Sequence, residues 1–383
     1  MYSTNSGYVD SPEANWDNQS LGKSYDSSNV GSNESGSISC TLEGLDAETT
    51  YYYRAFVREY NESTGQYEYR FGSKKSFTTE AQAQIESGYL TDYGMPDVSG
   101  LNPTLRLSGS NSNRDDNWYS YSTSNANRQI AVHTYSTGAP KNAETVNYVV
   151  LYDGSKYAPL WTAHTMNTTD WPINNVGRNE AWTSDPAISL TQQTGLDNAS
   201  TVGYSRGHFV ASEYRQTTVA QNKQTFYYSN QAPQWQNGFN SSAAGYSGDG
   251  IWQQLENRVV EVTPSGTTML YVITGVLYEG NTTTKPSGSL NVPIPSHFYK
   301  CIMKCTFTNG TINGAQGIAF VYTNVSHAGE SYVAGATSID AIEARAGFNF
   351  FANVPGGNND ANGLQGKAES NTDHRWFTGQ SSL

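Results

Sequence analysis

Residues 203–212 read GYSRGHFVAS, a short apolar stretch that sets an arginine and a histidine around a glycine in a chain with six histidines. A two-residue spacing puts Arg206 and His208 on one face of an extended strand. Gly207 between them lets substrate or backbone approach closely. A neutral imidazole on such a strand can take a proton from water near pH 7, and a guanidinium beside it can make charge-assisted hydrogen bonds to phosphate. A lone histidine is more often a hydrogen-bonded structural residue, which is the reading for His133, His164, His297, His327 and His374.

Working outward, order along the chain adds what single residues lack. YSRGHFVASEYR at 204–215 is followed by QTFYYSNQAPQ at 224–234, GFN at 238–240 and GIWQQLENRV at 250–259. This ordered set resembles the DNA/RNA non-specific endonuclease family, in its secreted bacterial branch. The flanking stretches YAPLWTAHTMN, GRNEAWTSDPAI, VPIPSHFYKCIMK and TSIDAIEARAGFNFFANV agree, so the resemblance spans roughly residues 128 to 355. It implies an α+β nuclease domain with a ββα-metal finger on a largely antiparallel sheet. It implies His208 as general base, Arg206 on phosphate, Asn240 as the direct protein ligand of a Mg²⁺ for which Mn²⁺ substitutes, and Glu256 holding a metal-bound water. Ser205, Asn230 and Gln234 take supporting roles. The implied substrates are DNA and RNA, cut to 5′-phosphate and 3′-hydroxyl ends.

The chain departs from the family pattern at named positions. Ser205 stands where the family has a leading Asp, and residues 240–249, NSSAAGYSGD, lengthen the path from Asn240 to Trp252, leaving Asp249 as a second candidate for the metal. Val260 falls where a further Arg is expected, and Thr165 or His164 where another would bind phosphate. With a formal charge of −12, these losses predict weak, salt-sensitive nucleic-acid binding. The rival readings are a catalytically degenerate nuclease fold serving as a surface binding or adhesion module, and a glycan-active or glycan-binding surface protein motivated by 8 Trp and 27 Tyr.

Composition frames these readings. A length of 383 residues predicts two domains, and a polar, Asn/Ser/Thr/Gly-rich chain with 15% charged residues has an extracellular look. Residues 36–79 alternate apolar and polar side chains between turns, and LEGLDAETTYYYRAFV with GSKKSFTT resembles the later half of a fibronectin type III sandwich, assigned to residues 1–80, with Leu45 at a corner and Phe77 in the last strand. Residues 81–127 read as linker and irregular start of the second domain, and 128–383 as the nuclease domain. The opening MYSTNSGYVDSPEANW reads like the middle of a β-domain, so the expected secreted or cell-surface location rests on composition and family, with a surface partner for the type III module. No stretch is long and apolar enough to span a bilayer.

Three local expectations complete the reading. Cys301 and Cys305, of three cysteines, are buried fillers on one face of a strand. Ile251, Trp252, Leu255 and Val259 stripe a helix capped by Asp249, and Ser338 opens a capping box before Ile339, Ile342 and Ala346.

Overall fold

Contacts divide the chain into Met1–Ser87 and Gly88–Leu383. The computed structural model describes residues 2–3, 50–78, 87–135, 145–169, 171–172, 174–193, 203–280, 283–287, 290–355 and 363–379. In the first unit, β1 (Tyr2–Ser3), β2 (Thr50–Tyr53), β3 (Phe56–Asn61), β4 (Gln66–Phe71) and β5 (Lys75–Thr78) form an antiparallel β1-β2-β5 sheet and a β3-β4 hairpin. Phe77 stacks on Tyr51 at 5.8 Å and lies 6.0 Å from Tyr53, so aromatic cross-strand pairs staple this sheet. Leu45 lies outside the described residues.

The second unit is built on one nine-stranded antiparallel sheet. Its strands are β6 (Thr104–Asn111), β7 (Asp116–Ser122), β8 (Arg128–Tyr135), β9 (Thr145–Asp153) and β10 (Ala158–Met166), then β13 (Thr268–Leu277), β16 (His297–Thr308), β17 (Thr311–Thr323) and β18 (Ala336–Thr337). They lie in the order β18-β17-β16-β13-β10-β9-β8-β7-β6. Outside the sheet run β11 (Tyr204–His208) with β12 (Gln231–Trp235), and β14 (Thr284–Ser287) with β15 (Leu290–Pro293). Among the described residues helices are few: α1 (Val219–Gln224), α2 (Ile251–Glu261), α3 (Ile339–Ala346), α4 (Leu364–Glu369) and α5 (Arg375–Thr378). Among the described residues no helix is long and apolar enough to cross a membrane.

The central strands are covered on both faces, which is why β8, β9, β13 and β16 read as nearly continuous apolar runs. Alternation still sorts their side chains. Ile273, Cys301, Met303 and Cys305 join the core under α3, together with Phe350 and Phe351. Val272, Val276, Phe298 and Ile302 join the opposite core, with Phe209, Trp252, Leu255 and Val259. Cys301 and Cys305 are both free and buried, as their spacing predicts.

Two expectations are corrected. The stretch 81–127 is not irregular throughout: it contributes β6 and β7 to one end of the sheet. Its polar residues sit there because β6 has neighbours on one side only, with Leu107 exposed. The N-cap of α2 is Gly250 rather than Asp249, whose side chain instead accepts a hydrogen bond from Asn257 at 2.9 Å. A Cβ on Gly250 would stand 2.5 Å from the Ser241 carbonyl and press on that of Phe239, so the helix start fits tightly against the loop holding Asn240. Ser338 caps α3 as read, accepting from the Ala341 amide at 3.2 Å.

Candidate active site

His208 ends β11, which pairs with β12 so that Ser205 faces Gln234, Arg206 faces Pro233 and His208 faces Gln231. Asn230 fastens this ribbon. Its Oδ1 accepts from the Val210 amide at 2.9 Å, and its Nδ2 donates to the carbonyls of Val210 and Thr225 at 3.0 and 2.8 Å. Gln234 is fully buried against Gly207, where an added Cβ would overlap the Gln234 side chain and stand 2.7 Å from its Oε1. Gly207 is therefore required by close approach. Gly207→Ala is expected to push β11 off β12 and lower cleavage about tenfold, read as kcat on plasmid DNA, while far-UV circular dichroism stays unchanged. Ser205 Oγ donates to the Gln234 carbonyl at 3.3 Å, so at this position a hydroxyl braces the ribbon.

Arg206 and His208 share a face, and Trp182 spans them. Its ring lies 4.9 Å from His208 and 5.2 Å from the Arg206 guanidinium, which also sits 5.7 Å from Tyr228. Phe226 meets His208 edge-on at 5.1 Å. His208 is 8% exposed and its Nε2 is buried without a hydrogen-bond partner. Burial, reinforced by the Arg178 guanidinium, pushes its pKa down to about 3, so the ring is neutral at pH 7.

Glu256 lies on α2, one turn after Trp252, with Oε1 buried and unpartnered. Burial lifts its pKa to about 7, Lys300 pulls it down, Glu213 pushes it up and Arg178 lowers it. Lys300, fully buried in β16, donates to Thr274 Oγ1 at 2.8 Å and sits 4.8 Å from the Trp252 ring. Burial holds Lys300 down at about 8 while Glu256 raises it. Arg178 thus acts on both His208 and Glu256. Its side chain stays about half exposed, over the Phe226 ring at 4.8 Å and donating to Ser212 Oγ at 3.3 Å.

Asn240 sits in the loop between β12 and α2. Its amide nitrogen donates to the Trp235 carbonyl at 3.1 Å, and its Nδ2 reaches only Gln236 Oε1 at 3.5 Å. The next residue back, Phe239, stacks on Trp252 at 5.9 Å, which ties this loop to the helix carrying Glu256. Asn240 and Glu256 offer oxygen donors only, and a buried unpartnered carboxylate oxygen is available to hydrogen-bond a water. Each is an oxygen ligand of the kind a hard divalent cation takes, directly or through one of the waters it keeps.

The DNA/RNA non-specific endonuclease model matches residues 110–356. The chain belongs to that family. The nuclease is 28% identical over 242 residues to Nuclease 1, mitochondrial, of Schizosaccharomyces pombe, covering 58% of this chain and 70% of that protein. It is 28% identical over 169 residues to Nuclease C1 of Cunninghamella echinulata, covering 42% and 64%, and 25% identical over 220 residues to a nuclease of Nostoc sp., covering 54% and 72%. Among solved structures it is similar to the EndoG/EndoGI complex, at 24% identity with a TM-score of 0.45, over 58% of this chain and 86% of that one. Family and relatives make the chain an endonuclease of the hydrolase class, acting on nucleic acid and belonging to a family that generally uses a divalent metal.

The nuclease also places residues that local spacing does not reveal. Arg178 and Trp182 lie in GRNEAWTSDPAI, a stretch marked by family resemblance without roles. Lys300, a lone cation in an apolar strand, carried the one detectable signal: a charge where a buried apolar residue belongs. Glu213 follows His208 by five residues and influences Glu256.

Proposed function

We propose that this endonuclease hydrolyses DNA and RNA with little sequence preference, using Mg²⁺ or Mn²⁺ and leaving 5′-phosphate and 3′-hydroxyl ends. The observation that carries this reading is the neutral, desolvated His208, walled by Trp182 and Phe226 and flanked by Arg206 and Arg178. In it His208 takes the proton of the attacking water, while Arg206 and the half-exposed Arg178 neutralise phosphate oxygens. When bound, the cation stabilises charge on the scissile phosphate and leaving oxygen. Asn240 would hold it directly and Glu256 would orient one of its waters. Asn230 and Gln234 keep the ribbon in register. β11, β12 and α2 supply the two strands and helix of a ββα-metal finger in this reading, and Arg178 partly offsets the charge missing at Val260 and Thr165.

Three further parts of the proposal concern the whole chain. Residues 1–80 act as a fibronectin type III-like module that meets a surface partner, supported by the antiparallel pairing around Phe77; the nuclease domain that follows includes β6 and β7; and the protein works secreted or at a bacterial cell surface. The alternative of a degenerate nuclease fold used for binding draws on the acidic charge and on Val260 and Thr165. Digestion of plasmid DNA and total RNA at low salt decides between them. Cleavage of both polymers with Mg²⁺, abolished by chelator and restored by Mn²⁺, is expected; intact polymers under every divalent cation would transfer the conclusion to the binding module.

A further inference from the structure

We infer that a buried Asp116–His133–Asp185 ion cluster holds the walls of the His208 pocket in place, making these three side chains positioning residues for the nuclease reaction. The inference rests on the reading of His208 as general base.

The side chains of His133, Asp116 and Asp185 are all inaccessible to solvent. His133 Nδ1 meets Asp116 Oδ2 at 2.9 Å, and Nε2 meets Asp185 Oδ2 at 3.0 Å. An imidazole facing a carboxylate at each nitrogen carries both protons, since only the cation donates twice. Its ring lies 4.7 Å from Tyr148 and 5.1 Å from Tyr227.

Each carboxylate then reaches the segment before Asn230. Tyr227 Oη donates to Asp116 at 3.1 Å, and Arg114 stands over the Tyr227 ring at 4.5 Å. Ser229 Oγ donates to Asp185, whose other oxygen accepts from the Ala187 amide at 2.8 Å. The segments bearing Trp182 and Phe226 are locked together, with Thr183 donating to the Phe226 carbonyl at 3.2 Å and Tyr228 to the Thr183 carbonyl at 2.9 Å. Both aromatic walls of His208 are therefore fastened within three residues of a ligand of the cluster, and Ser229 adjoins the Asn230 that grips Val210. No member of the cluster touches His208.

Energetics favour position over stability as its role. A buried ion cluster costs desolvation that an apolar set of the same volume avoids, so it is weak support for a fold. What it supplies is a fixed, directional geometry for Tyr227 and Ser229.

The charge is durable across neutral pH. Burial pulls His133 down, but Asp185 and Asp116 outweigh it and lift it to about 10. Asp185 is pushed up by burial and pulled further down by His133 and Ser229, ending below its ordinary value. Tyr148, Tyr152, Tyr227 and Arg114 are the other titratable groups facing the cluster. The raised His133 contributes stability in full below its unfolded pKa near 6.5, and that contribution drains away as pH rises towards 10.

The test uses the full chain with His133→Gln and Ser229→Ala, assayed on plasmid DNA from pH 6 to 11 beside imidazole NMR. Folded variants are expected to lose about tenfold in kcat, with KM within twofold. The parent's fall in rate near pH 10 should be absent from His133→Gln. If His133→Gln fails to fold, Ser229→Ala, which removes one hydroxyl, decides on the kcat and KM criteria. Parental kcat in a folded variant, with only the melting temperature lowered, overturns the inference. A parent that cleaves nothing overturns the nuclease reading instead. The decision then passes to the His208 ring resonances, which must shift in Ser229→Ala for the positioning role to stand.

Discussion

Replacing His208 by Ala is expected to lower cleavage of DNA and RNA by roughly 10³-fold, within the range that loss of a general base produces. Single-turnover rates on plasmid DNA, with near-UV circular dichroism as the control for folding, measure it. The pocket is closed by Trp182 and Phe226, and His208 makes no hydrogen bond that the fold would miss, so the variant is expected to stay folded. The pH profile gives a second reading. A base must be neutral to accept a proton, and His208 is neutral above a pKa of about 3, so the rate carries no acid limb from this ring near 6.5. A parent profile with a limb at 6.5 that disappears in the Ala variant would contradict the desolvated pocket.

The second large effect belongs to Glu256. Glu256→Gln keeps shape and removes charge, and a residue that orients a metal-bound water typically costs 10- to 100-fold, so kcat is expected to fall about 10²-fold. Its buried carboxyl titrates near 7, and the working form is the carboxylate, so activity at limiting metal rises as pH climbs through 7. That limb should vanish in Glu256→Gln. Folding runs the other way: a raised carboxyl pKa means that ionisation costs the folded state, and this cost grows as pH rises from 4.5 towards 7. The variant loses that cost, but Lys300 loses the neighbour that raises it, so Lys300 releases its proton at lower pH. An unchanged rate in Glu256→Gln would assign the water-orienting role to another group.

Much of this site was legible where chemistry is local. A period of two put Arg206 and His208 on one face, where Trp182 now touches both. A helical stripe named the four buried residues of α2, and Ser338 announced its own cap. The N-cap of α2 was read one residue early because Asp249 has the right chemistry, yet the tight loop at Phe239 and Ser241 admits only glycine at the turn. β6 and β7 were hidden because serines, asparagines and glycine serve a terminal strand and a loop alike; Gly109 is in fact the seat of the Trp118 ring across the strand pair. Arg178, Lys300 and the His133 cluster needed tertiary structure: Asp116 and Asp185, far apart in sequence, meet on the two nitrogens of His133 only through the fold.

The sheet itself carries a consequence for how this protein can change. Its side chains alternate between two cores that share no member, one under α3 and one under β11, β12 and α2. Packed faces separated by a sheet transmit little strain to each other, so substitutions on opposite faces should combine additively. The face under β11, β12 and α2 is thereby free to change while the far core preserves foldability. In a lineage, chemistry and solubility can be selected on separate surfaces of the same strands.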